Sequence, residues 1–146
     1  MMFKTHLVVS LLFALILFPF FSLDKGVFLV VFIIGALLPD IDTQTSFIGK
    51  KFKIFGWLFL HRGIFHSIWM LILLTGILWA FETNLALAFG LGYFSHLMLD
   101  SLNHAGIRPF HPLLKTRIKG YFKTNGIAEK TIFIFSLVLC FVILLK

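Results

Sequence analysis

Five apolar runs divide the chain, at residues 7–23, 26–38, 68–81, 85–99 and 131–145. A straight membrane span needs about 20 apolar residues, with about 17 as the usual lower limit, and all runs but the first are shorter than that. The second and fourth run into Asp and His, so polar residues extend these helices to the membrane's edge. The pattern predicts an all-α protein, an integral membrane bundle of about five transmembrane helices with two longer cytoplasmic loops. The helices are expected near 7–23, 26–39, 67–82, 85–101 and 130–145, within one membrane-embedded domain covering 1–146.

The connections between runs alternate in kind. Asp24 and Lys25, and then Glu82, Thr83 and Asn84, form tight links suited to antiparallel neighbours, whereas 39–67 and 101–130 are long and basic. With the N-terminus inside, both long connections are cytoplasmic, and of the 13 Lys and Arg residues only Lys25 and Lys146 fall outside. The reverse threading violates the positive-inside rule, so the reading is N-in, C-out.

Composition agrees. Sixty per cent of residues are hydrophobic and 13% are charged, against roughly 45–50% and 25% in soluble domains. That polar surface is too small to cover a water-soluble globule, so lipid takes the place of water. The basic excess then reflects cytoplasmic loops and anionic lipid rather than nucleic acid. The first run resembles a signal peptide after Lys4, but no small-residue cleavage site follows and apolar sequence soon resumes. The single cysteine, Cys140, excludes an internal disulfide and gives no support to thiol-based zinc or redox chemistry. Two stretches, 43–60 with its aromatics and lysines and 107–121 with Pro109 and Pro112, read as interfacial segments.

In the N-in threading, Asp40, Asp42, His61, His66, His96, Asp100, His104 and His111 all fall on the cytoplasmic side. Ionisable groups at the ends of membrane helices are costly to bury and mark function. Asp40 and Asp42 follow Pro39 at a helix C-terminus, where the macrodipole is negative; a cation relieves that penalty and their mutual repulsion. His61 and His66 flank Gly63 before the third helix, Ser67 is placed to cap it, and the forked Arg62 suits a phosphate or carboxylate. His96 and Asp100, four apart, share a helix face that offers an imidazole nitrogen and a carboxylate oxygen to one ion; His104 continues that face by one more turn. His6, ahead of the first run, reads as interfacial. Imidazoles and carboxylates without cysteine suit a hard or borderline divalent ion such as Zn, Mn, Fe or Mg.

Leu38-Pro39-Asp40-Ile41-Asp42, His61-Arg62-Gly63 with His66-Ser67, and Gly92-Tyr93 with Ser95, His96 and Asp100 resemble the YdjM-like family of inner-membrane metal-dependent hydrolases, whose hydrolase activity is an inference from motif. Gly106, Pro109 and Asn125-Gly126 with Glu129 extend the likeness, while Thr43 and Asn103 depart from it at positions where members often carry His and Thr. The resemblance implies a multi-helix membrane protein with a metal site made by these Asp and His residues; with the site at the cytoplasmic membrane edge, the reading is a metal-dependent hydrolase acting on a phospholipid or other phosphoester. Asp40, Asp42, His66, His96 and Asp100 would hold the metal. His61 or Glu129 would serve as general base or as its hydrogen-bonded partner, and Arg62 would hold an anionic group. Two other readings stand beside it: a metal-ion transporter, which the scarcity of polar residues in the outer halves of the helices disfavours, and a non-catalytic protein with a structural metal site and a partner-binding cytoplasmic face.

Overall fold

The computed structural model describes residues 1–42 and 64–145, without the side chains of Ile41 and Asp42. These residues form five α-helices: α1 Phe3–Leu17, α2 Lys25–Leu37, α3 Ile68–Trp79, α4 Thr83–Ser101 and α5 Ile127–Leu144. The described residues contain no β-strand, only two isolated bridges, Asn103 with Phe122 and Ile107 with Ile118. The interfacial stretch expected at 43–60, and with it His61 and Arg62, lies outside the described residues.

Local chemistry sets the helix ends. Asp24 caps α2 by accepting from the Gly26 and Val27 N–H groups at 2.8 and 3.1 Å. Ser67 caps α3 by accepting from Met70 at 3.4 Å, and Glu82 caps α4 by accepting from Leu85. Each satisfies a donor that the first helical turn leaves without an intrahelical partner, and the Leu85 N–H holds the Glu82 carboxyl below its ordinary range. Proline cannot supply the i→i−4 N–H, so after α1 and α2 the ladder tightens into 3-10 turns at Phe18–Phe20 and Leu38–Asp42.

Two helices start earlier than the apolar runs suggest. α1 begins at Phe3 rather than near residue 7, and α5 at Ile127 rather than near 130. The added turns carry Thr5, His6 and Glu129 into the bundle, where all three are buried.

α4 is the central helix, packed most extensively on α2, then on α3, and touching α1, which in turn packs on α5. The α2–α4 crossing rests on two glycines. A Cβ at Gly35 would overlap the Phe89 carbonyl, and a Cβ at Gly92 would overlap the Phe32 carbonyl. Small residues at such a crossing let backbones approach closely, which matters most where lipid removes the hydrophobic drive for helix association.

Phe3–Phe20 and Ile127–Leu144 are long and apolar enough to cross a membrane, with mean hydropathy 1.9 and 2.3; Ile68–Trp79 is apolar but shorter. Large apolar side chains, among them Ile34, Trp69, Ile72, Phe94, Phe135 and Phe141, stand exposed on the outside of the bundle, a surface suited to lipid rather than water. The helices alternate in direction. At one end Asn84 Nδ2 donates to Ser22 Oγ at 3.2 Å. At the other, the starts of α1, α3 and α5 meet the ends of α2 and α4. The connection 102–126 folds over that end and is tied to α3 by the Ile68 N–H on the Pro109 carbonyl at 2.8 Å.

Candidate metal centre

The end where those five helix termini meet gathers the Asp and His side chains. Asp40 sits in the 3-10 turn after α2, and His66 in the turn Ile64–His66 just before α3. His96 and Asp100 lie one turn apart near the end of α4, and His6 lies one turn into α1. His96 Nε2 is 3.8 Å from Asp40 Oδ1 and 4.0 Å from Asp100 Oδ2. His66 Nε2 is 3.6 Å from Asp100 Oδ2. The other oxygen, Asp100 Oδ1, faces His6 Nε2 at 3.2 Å and the amino group of Met1 at 2.6 Å. Both His66 and His96 are 0% exposed, whereas Asp40 retains 15% and is the more solvent-accessible donor. Burial pushes the Asp40 carboxyl up, against the opposing pull of His6 and His66.

The fold fixes how these groups present themselves. His96 Nδ1 lies 2.7 Å from the Ala36 carbonyl. A carbonyl only accepts, so Nδ1 carries the hydrogen and Nε2 keeps its lone pair. That Nε2 is buried and has no hydrogen-bond partner. The Tyr93 hydroxyl donates to the Phe65 carbonyl, and Ser67 Oγ donates to the Ile64 carbonyl at 2.6 Å, so two bonds shape the turn that presents His66. Ser10, one turn along α1 from His6, and Ser95, next to His96 in α4, are both buried and pair at 3.3 Å, joining the two helices.

A divalent ion fits this donor set. Two groups, Asp40–His66–His96 and His6–His96–Asp100, bring their ligand atoms within 4.8 Å of one another. An ion with bonds of about 2.0–2.2 Å joins donors up to about 4.2 Å apart, which covers every pair measured above. Two carboxylates at the negative ends of α2 and α4, in a buried setting, call for positive charge. An apolar groove of about 440 Å³ between α3 and α4, lined by Leu71, Thr75, Trp79, Leu87 and Phe94 among others, shares none of these residues.

Of the residues singled out in the sequence, Asp40, His66, His96 and Asp100 converge here. Asp42, whose side chain is not described, follows Asp40 in the same turn; His61 and Arg62 lie outside the described residues. Glu129 stands apart from the converging donors, and each of its oxygens accepts a backbone N–H, from Met2 at 2.6 Å and from Asn125 at 2.6 Å. It is the third residue of α5, reaching back before the helix in the manner of a capping box; Asn125 holds φ +61° there, a conformation asparagine tolerates. Glu129→Gln is therefore expected to cost about 1–3 kcal/mol, as the charge-assisted bonds that the buried carboxylate accepts are weakened. Thermal unfolding in detergent reads that loss, and metal content of the folded protein stays unchanged.

His104 does not continue the α4 face: the helix ends at Ser101, and His104 is exposed with its N–H on the Phe122 carbonyl at 2.8 Å. Asn103 is buried and donates to Thr124 Oγ1 at 2.9 Å. The residue missed in the sequence is His6, read there as interfacial. It is 1% exposed and stacks on His96, ring centroids 4.1 Å apart and planes 11° from parallel. The available signal was the pair His6 and Ser10, which share a face once α1 starts at Phe3.

Residues 1–145 match the family described as "YdjM inner membrane protein". The chain is 31% identical over 106 residues to "Uncharacterized protein YvsG" of Bacillus subtilis (strain 168), an alignment covering 68% of this chain and 66% of that protein. It is 33% identical over 89 residues to "Inner membrane protein YdjM" of Escherichia coli (strain K12), covering 51% of this chain and 44% of that protein. The chain thus spans about two thirds of the first relative's length and less than half of the second's. No solved structure matches it. By the match along nearly its whole length, the chain belongs to the YdjM family of inner membrane proteins.

Proposed function

We propose that this chain is a membrane-bound, metal-dependent hydrolase whose site sits at the cytoplasmic membrane surface and takes a phospholipid or another phosphoester. The observation that carries the reading is the convergence of Asp40, His66, His96 and Asp100 from three separate segments into one buried cluster, with the lone pair of His96 Nε2 held ready by Ala36. A purely structural polar cluster would pair its hydrogen-bonding groups with one another; here a buried imidazole nitrogen has no such partner.

In this reading all five helices span the membrane, N-terminus inside and C-terminus outside, as the distribution of Lys and Arg requires. The short α2 and α3 are extended by their 3-10 turns to the interface. Asp40, His66, His96 and Asp100, joined by Asp42 as the sequence motif suggests, hold the ion, which is Zn, Mn, Fe or Mg by the hardness of the donors. When bound, such an ion supplies Lewis acidity, bringing the pKa of water towards about 7 and polarising a phosphoryl oxygen. The chain's own part is to orient donors and exclude bulk water. Ala36 fixes the His96 tautomer, and Tyr93 and Ser67 shape the His66 turn. His61 and Arg62, in the connection leading to His66, supply a base and a cation for an anionic headgroup.

Purified in detergent, the wild-type protein is expected to carry stoichiometric divalent metal by mass spectrometry and to release phosphate or headgroup from a panel of lipid phosphates. Chelation with EDTA should abolish turnover, and added Mn or Zn should restore it. Protein that holds no metal after incubation with either ion would sink the reading. Protein that keeps its metal yet turns over no phosphoester would reduce the site to a pin between helix ends.

A further inference from the structure

The reading above leaves His6 without a role, although it is as deeply buried as the donors it touches. We infer that the cluster is built for two divalent ions, that Asp100 bridges them through its two oxygens, and that His6 is a ligand of the second. This deepens the metal reading of the same site and rests on it.

The argument is geometric. An imidazole nitrogen offers its lone pair in the plane of the ring. His6 and His96 are stacked with planes 11° from parallel and centroids 4.1 Å apart, so their lone pairs run side by side instead of meeting. An ion midway between the rings would lie about 2 Å out of each plane, where neither nitrogen has density to give; with bonds of about 2.0–2.1 Å, each ring serves its own ion. Two ions directed by rings stacked in this way stand about 4 Å apart, matching the roughly 3.5–4 Å of two-metal hydrolytic sites.

Asp100 divides along the same line. Oδ2 lies on the side of His66 and His96, at 3.6 and 4.0 Å, together with Asp40 across from His96. Oδ1 lies on the side of His6, at 3.2 Å, a spacing two donors adopt on one ion. Asp40, His66 and His96 thus lie about the first position, with Oδ2 facing His66 and His96, while His6 and Oδ1 define the second.

The test is metal stoichiometry and spectroscopy on the full chain in detergent, loaded with Mn alone. The expected wild-type result is two Mn per chain with an exchange-coupled electron paramagnetic resonance spectrum. His6→Phe keeps a ring against His96 but removes both nitrogens. It should retain one Mn and give the six-line spectrum of an isolated ion. Asp100→Asn should weaken both ions. One Mn per chain in the wild type, uncoupled, would overturn the two-ion proposal while leaving the metal reading intact, and two ions retained by folded His6→Phe would overturn His6 as a ligand. No Mn at all, nor Zn in its place, would overturn both. The wild-type spectrum decides the matter even where a variant fails to fold.

Discussion

His96→Ala is expected to give a protein that still runs as a folded bundle in detergent, holds less metal than the wild type and has lost turnover of any lipid phosphate by about a thousandfold. His96 is the one side chain common to both donor groups, and its Nε2 is the buried nitrogen without a hydrogen-bond partner that the site is arranged around. Removing a mere hydrogen-bond partner of a metal ligand costs about 10–100-fold in affinity; removing the ligand itself costs more. A Lewis acid contributes several kcal/mol to the transition state, and about 4 kcal/mol is a thousandfold in rate. The structural penalty is smaller, because the change strands the Ala36 carbonyl, a loss of about 1–3 kcal/mol. His96→Gln separates the two effects: its amide can still donate to Ala36, so it should recover stability without recovering metal. The full wild-type metal content in either folded variant would place the ion elsewhere.

The same donors set the pH dependence. Imidazoles bind metal only when neutral, with an ordinary pKa near 6.5. Asp40, raised by burial, competes for a proton at higher pH than an exposed carboxylate does. The ion competes with the Asp40 proton, so affinity should rise with pH and fall as the pH drops through the raised Asp40 range. Metal titrations between about pH 5.5 and 7.5 would show it; affinity that is flat across that range would mean that no donor takes up a proton there.

Rarity made most of this centre legible in the sequence. In a chain only 13% charged, the threading that keeps basic residues inside puts nearly every Asp and His at one end, and Asp40, His66, His96 and Asp100 do meet there. His6 was missed for a physical reason. An apolar run measures the part of a helix that lipid tolerates, whereas the helix itself begins where backbone bonds begin. α1 starts at Phe3, four residues before its apolar run, and Lys4-Thr5-His6 looked like the approach to a helix when it was the first turn. Glu129 was noticed as a motif, but its two backbone partners come from different segments, Met2 and Asn125. The glycines show a further limit. Gly35, Gly76, Gly90 and Gly92 all lie in apolar stretches, yet a Cβ at Gly76 meets nothing within 4 Å and one at Gly90 meets only the Thr75 side chain, while Gly35 and Gly92 lie against backbone. Spacing along one chain does not say which glycines face another helix.

That contrast sets the second large effect. Gly92→Ala is expected to lower the unfolding temperature measured by circular dichroism in detergent and to weaken metal binding at least tenfold, whereas Gly76→Ala should leave both unchanged or slightly raise stability. The added methyl at 92 overlaps the Phe32 carbonyl and comes within 3.2 Å of the Ala36 nitrogen; these are backbone atoms of α2, so only a shift of the whole helix relieves the clash. Overpacking of this kind costs about 1–3 kcal/mol, or roughly 2–12 °C for a chain of this size. At 76 the methyl meets no atom, and alanine's helix propensity gains up to about 1 kcal/mol over glycine. The metal effect distinguishes a positioned site from general destabilisation. Pushing α2 away carries the Ala36 carbonyl off His96 Nδ1 and Asp40 off His96 Nε2 together, because all three are set by the same crossing. A folded Gly92→Ala protein with wild-type metal affinity would show that the α2–α4 contact supports the bundle without aligning the site. A parallel loss, in a fraction shown to be folded, would show that the two glycines set the separation of donors contributed by different helices.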